Sequence, residues 1–69
     1  MLDKGAEVDQ AMKGGWTPLI VACENGHVDL ARLLLNKGAD IDRAEKEGGW
    51  APLLFACQNG HVDVARLLL

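Results

Sequence analysis

At 69 residues the chain can hold at most one small domain, and a core of that size rarely supplies more than roughly 3 to 5 kcal/mol of net stability without staples. Seven Lys and Arg against ten Asp and Glu give a formal charge of -3, and without a basic run this argues against a nucleic-acid surface. No apolar run approaches the roughly 18 residues of a membrane span, MLDKGAEVD lacks the basic start and apolar stretch of a signal peptide, and two cysteines are too few for a secreted framework. An intracellular, cytoplasmic setting with reduced thiols is therefore expected.

The chain repeats itself. GGWTPLIVACENGHVDLARLLL, from Gly14 to Leu35, returns as GGWAPLLFACQNGHVDVARLLL from Gly48 to Leu69, an offset of 34 residues. KGAEVD at 4–9 returns as KGADID at 37–42 with an offset of 33, so one residue is inserted between Ala44 and Gly48. A natural period of 33 predicts a stacked solenoid in which each unit buries its apolar face against its neighbours.

Taken in chain order, Met1 to Ala6 resembles the last turn of a helix. After an extended finger, Thr17 is placed to cap a helix with Pro18 at its first position, where the missing N–H costs nothing. Asn25-Gly26 stops that helix after about two turns, with Leu19, Ile20, Ala22 and Cys23 turned inward. A second helix is expected from His27 or Val28, with Asp29 in its first turn where the dipole favours an anion. Val28, Ala31, Leu34 and Leu35 form its apolar face, which Leu30 and Leu33 broaden. Gly38 suits a left-handed cap, Lys37 sits where the dipole favours a cation, and 39–49 reads as a polar extended loop. The pattern then starts again at Ala51-Pro52.

Gly15, Thr17, Pro18, Leu19, Ala22, Gly26, His27, Leu34, Leu35, Gly38 and Ala39, with Gly49, Pro52, Leu53, Ala56, Gly60, His61, Leu68 and Leu69 in the second copy, closely resemble the ankyrin-repeat pattern along the whole chain. The resemblance implies an all-α solenoid of stacked helix-turn-helix units joined by extended β-turn fingers. It divides 1–69 into the end of a preceding repeat with its finger (1–12), a complete repeat with finger (13–46) and the helix pair of a truncated repeat (47–69). Three departures stand out. The family's TPLH histidine is Ile20 or Leu54 here, Ala51 replaces the capping Thr at an expected cost of about 0.5 to 2 kcal/mol, and Asp9 and Asp42 replace the asparagine of the GAxxN segment.

Cys23 and His27, repeated as Cys57 and His61, have the residue types of a zinc site. Stacked helices lie roughly 8–10 Å apart, too far for one tetrahedral ion or for a disulfide, whose Cα atoms stand about 4.4–6.8 Å apart. Each cysteine is instead read as a small core residue, and no metal or other cofactor is expected. A reactive thiolate needs an exposed, electropositive setting, which Ala22 and Glu24 do not provide. The chain is expected to be no enzyme. The histidines are expected to bond backbone at the helix-turn junction.

Trp16, before Thr17-Pro18-Leu19, and Trp50, before Ala51-Pro52-Leu53, occupy what the resemblance implies is a variable position. They suit either a contact ladder on the concave groove or shields between finger and helix. By the resemblance, Lys13, Trp16, Glu24 and Asn25 in one repeat, and Glu47, Trp50, Gln58 and Asn59 in the next, line a surface for a protein partner. The expected function is non-catalytic protein–protein interaction through that concave face, the alternative being spacer repeats that support a surface elsewhere in a longer parent protein. Low stability as an isolated monomer is expected, with self-association through the apolar C-terminal helix, and with neither nucleic acid nor membrane as a partner.

Overall fold

The computed structural model describes residues 8–69; the helical turn expected at 1–6 lies outside them. Four helices follow in order: α1 (Pro18–Asn25), α2 (Val28–Asn36), α3 (Pro52–Gln58) and α4 (Val62–Leu68), preceded by a tight turn at Lys13–Gly15 in which Gly14 and Gly15 take positive φ. There is no strand among the described residues. The helices form two pairs, α1 with α2 and α3 with α4, stacked one on the other, and α1 packs on α3 more extensively than α2 on α4. None of the described helices is long and apolar enough to cross a membrane.

Local chemistry sets the helix boundaries. The Thr17 hydroxyl accepts a hydrogen bond from the Ile20 N–H at 3.2 Å, satisfying one of the amides that no helix can pair internally. Pro18 opens the helix. At its other end Gly26 takes φ 74°, ψ 24°, a left-handed conformation open to glycine without the penalty of a Cβ. Val28 then begins α2 with Asp29 in its first turn, and Lys37 ends it, followed by Gly38 at φ 93°. Ala51 has the backbone of a cap, φ −83° and ψ 164° against −89° and 164° at Thr17, but has no side chain to accept the bond.

The core lies between the pairs. Leu19, Ile20, Ala22 and Cys23 of α1, Ala31 and Leu34 of α2, Ala56 of α3 and Val64 of α4 are all fully buried, and Phe55 is nearly so. Each fully buried Leu, Ile or Val contributes roughly 1.5–3 kcal/mol of transfer free energy, offset largely by conformational entropy.

Two expectations need correction. Leu30 and Leu33 do not broaden the buried face of α2: they are 41% and 43% exposed, because α1 and α4 cover only the stripe holding Ala31 and Leu34. Cys57 is exposed although its counterpart Cys23 is buried, because α3 and α4 cover the Cys23 side of the first pair while no described element covers the same side of the second.

Candidate partner-binding site

The residues assigned to recognition fall on the two fingers and on the C-terminal ends of α1 and α3. Each finger tip is a tight loop closed by its own backbone. In the first, the Met12 N–H donates to the Trp16 carbonyl at 2.8 Å; in the second, the Glu45 N–H donates to the Trp50 carbonyl at 3.1 Å. Met12 and Glu45 are therefore equivalent, with three residues between the closing pair in one loop and four in the other. The inserted residue enlarges the tip and leaves its base unchanged.

The larger tip is organised by Glu45, only 5% exposed. Its carboxylate accepts from the N–H groups of Glu47 at 2.9 Å, of Gly48 at 2.9 and 3.0 Å, and of Trp50 at 2.7 Å. The Gly48 and Trp50 bonds, with a smaller contribution from Glu47, hold its pKa below the ordinary carboxylate value, burial opposing them. The fingers are also tied to each other. The Lys46 N–H donates to the Gly14 carbonyl at 2.7 Å, and the Asp40 N–H to the Asp9 carboxylate at 3.0 and 3.3 Å. Asp9, one of the departures from the GAxxN asparagine, thus links neighbouring fingers.

Trp16 and Trp50 are both half-buried, and each packs on Phe55 of α3. The ring centroids are 4.9 and 5.4 Å apart and both pairs are tilted by 48°. Tilted pairs at this range add about 0.5–1.5 kcal/mol beyond area burial. Trp16 therefore pins the first finger to the first helix of the next repeat.

The remaining assigned residues divide by exposure and by bonding. Lys13, Glu47 and Gln58 are exposed. Asn25 is exposed with its amide turned back to the Val21 carbonyl at 3.0 Å. The half-buried Glu24 offers its carbonyl oxygen to the next repeat, accepting from the Asn59 side chain at 2.9 Å and standing 2.9 Å from His61 Nε2. A carbonyl only accepts, so Nε2 carries the proton. The histidine bond expected at the helix-turn junction is thus present for His61, but it runs to the preceding repeat. His27 is exposed.

The cysteines have different surroundings. Burial raises the Cys23 thiol to about 11, which keeps it protonated and unreactive near neutral pH. Cys57 is exposed and unpaired. Among the described residues no three His, Cys, Asp or Glu side chains converge as a metal site requires.

Sequence reasoning missed Phe55 and Glu45. Phe55 carried one signal, an aromatic ring where the first copy has Val21, at a position facing the preceding repeat. Glu45 carried another, as the residue directly before the insertion.

Comparison with known proteins agrees with this architecture. A family model described as ankyrin repeats in three copies matches residues 1–69. The chain belongs to the ankyrin-repeat family. Among ankyrin-repeat relatives it is 48% identical over 43 residues to mouse protein phosphatase 1 regulatory subunit 27, covering 62% of this chain and 28% of that protein. The human protein of the same name is 50% identical over 38 residues, covering 55% of this chain and 25% of that one. Ankyrin repeat, SAM and basic leucine zipper domain-containing protein 1 of Eulemur macaco macaco is 48% identical over 40 residues, covering 58% of this chain and 8% of its own length. The chain thus matches well under a third of each relative. Ankyrin repeats are in general protein-interaction modules, typically without catalysis.

Proposed function

We propose that the chain binds a protein partner, without covalent chemistry, through the concave face formed by its finger tips and first helices. The observation that carries this reading is the second finger tip, where Glu45 fixes the backbone beneath Glu47 by bonds to three amides. A loop held in this way loses little conformational entropy on binding. Lys13 and Glu47 on the tips and Gln58 at the end of α3 project from this frame as exposed side chains, able to select a partner by charge and hydrogen bonding. The regulatory-subunit name of two relatives fits a partner that is itself a protein. Two unpaired thiols suit a reducing intracellular compartment.

Trp16 and Trp50 have a double role in this proposal. Their packing on Phe55 favours the shielding role for most of each ring, and the remaining surface serves contact. The same packing is what spacer repeats would need, so the two functions are separated at exposed positions. Affinity capture with the wild type, with Lys13→Glu/Glu47→Lys/Gln58→Lys and with Arg32→Glu/Arg66→Glu on the opposite helices tests the reading. Proteins captured by wild type and by the α2–α4 variant but lost with the finger variant support it. Equal capture by all three supports the spacer role.

A further inference from the structure

The polar groups of the two finger tips are unequally engaged. The carboxylate of Glu45 is taken up by backbone amides of its own loop. Among the described residues the side-chain ion pairs are Arg32 with Asp29 at 3.3 Å and Arg66 with Asp63 at 3.9 Å, both on the second helices. Lys13 and Lys46, exposed on the tips, have no such partner there. Neither have the indole N–H groups of Trp16 and Trp50 an acceptor among the described residues. No buried polar side-chain atom lacks a partner, so both N–H groups open to solvent.

These groups lie together. The Lys46 N–H donates to the Gly14 carbonyl at 2.7 Å, and the Lys46 stem crosses Gly15, where a Cβ would come within 2.9 Å of Lys46 Cγ. Lys46 thus lies on the finger that carries Lys13. The N–H edge of each indole passes close to the glycine two residues before it. Trp16 Nε1 is 3.9 Å from the place of a Cβ at Gly14, and Trp50 Nε1 is 3.3 Å from that at Gly48. Packing on Phe55 holds both rings in this attitude. One free carboxylate stands among them, that of Glu47, whose Cδ is 4.0 Å from the same point at Gly14.

An ammonium group and an indole nitrogen can only donate hydrogen bonds. Two lysines and two indoles therefore face a single free acceptor side chain. We propose that the partner bound at this face, on the concave-face reading above, presents an extended acidic segment. Its carboxylates take the ammonium groups of Lys13 and Lys46, and its carboxylate or carbonyl oxygens take the N–H groups of Trp16 and Trp50. A basic segment would leave all of these donors unanswered and would meet Glu47 alone. An extended chain rises about 3.3 Å per residue, so about three residues carry it from one repeat to the next across a step of roughly 8–10 Å.

The two tryptophans give two indole signals in a proton–nitrogen NMR spectrum, and each reports directly on its own N–H. The labelled full chain is titrated with a blocked peptide of alternating Glu and Gly, and with versions that carry Gln or Lys in place of Glu. Both indole signals should shift saturably with the Glu peptide, the Gln peptide should bind about fivefold more weakly, and added salt should weaken the Glu peptide. Lys13→Met/Lys46→Met, which keeps an apolar stem across Gly15, should weaken the Glu peptide about three- to tenfold, and Glu47→Gln should strengthen it about twofold. Lys13→Gln/Lys46→Gln replaces the first variant if circular dichroism shows it to be unfolded. Equal binding of the Glu and Gln peptides at the indoles, or preference for the Lys peptide there, overturns the inference and leaves the concave-face reading standing. Shifts confined to α2 and α4 overturn both. An oligothymidylate that moves the indole signals more strongly than the Glu peptide assigns the donors to phosphate and overturns the acidic segment, as does the absence of a saturable shift in the millimolar range.

Discussion

The imidazole of His61 rests on Gly26 of the preceding repeat, and the two residues depend on each other. Only a residue without a Cβ leaves room for the ring, since a Cβ at Gly26 would come within 2.7 Å of Nδ1. Gly26 also lies at φ 74°, where an L side chain costs roughly 1–2 kcal/mol. Gly26→Ala is therefore expected to destabilise by more than that strain alone. In the Gly26→Ala/His61→Ala double variant the steric part disappears and the backbone part remains. Urea midpoints of the wild type, the two single variants and the double variant measure this coupling; simple additivity would show that ring and glycine do not interact.

The two helix starts make a matched pair of experiments. Thr17→Ala removes a buried hydroxyl and leaves the Ile20 amide without its partner, at an expected cost of about 0.5–2 kcal/mol. Ala51→Thr places the same hydroxyl on nearly the same backbone angles and should recover a similar amount, read as a higher urea midpoint. No gain at Ala51 would show that the second helix start lacks the geometry of the first.

Glu45 sets an acid limit on the second finger. Its folded pKa lies below the ordinary 4.5, so ionisation stabilises the fold fully above that value, and the contribution disappears as pH falls toward the lowered one. Glu45→Gln should weaken the wild-type fold at neutral pH and flatten its loss of stability below pH 4.5. Thermal melts of both proteins across this window check the sign. Parallel decline in the two would mean that other carboxylates dominate.

Thiol labelling separates the two cysteines. In dilute native protein one equivalent should react rapidly, at the exposed Cys57, and the second only on unfolding, because Cys23 is buried with its pKa raised to about 11. Peptide mapping after alkylation assigns the site. Rapid reaction of both would place Cys23 in an open core.

The helix pairs were legible in the sequence because their determinants are local: Thr17 and Pro18 start a helix, Asn25-Gly26 ends it, and Asp29 falls in the first turn of the next. The 33-residue period supplied the stacking. Burial that depends on a neighbour was harder to read. Cys23 and Cys57 sit in nearly identical words, ACEN and ACQN, yet differ in burial because a repeat has two unlike sides and only one is covered in each. Leu30 and Leu33 match an apolar periodicity wider than the stripe that α1 and α4 cover. Glu45 reads as one charge in a solvated loop, and only the fold brings its carboxylate onto the amides of Glu47, Gly48 and Trp50. Phe55 acquires its role from two tryptophans 39 and 5 residues earlier in the chain, contacts that no helical periodicity encodes. The eight residues proposed for recognition lie on the fingers and at the C-terminal ends of the first helices, and the exposure of Lys13, Asn25, Glu47, Gln58 and Asn59 sets them apart from the half-buried Trp16, Glu24 and Trp50.

The concave-face proposal is tested most directly by hydrogen–deuterium exchange on the complex with a captured protein. Amides at 13–16 and 46–50, together with those at the ends of α1 and α3, should be protected on binding, while α2 and the exposed side of α4 should exchange as in the free chain. Protection confined to α2 and α4, with the fingers unchanged, would contradict the account.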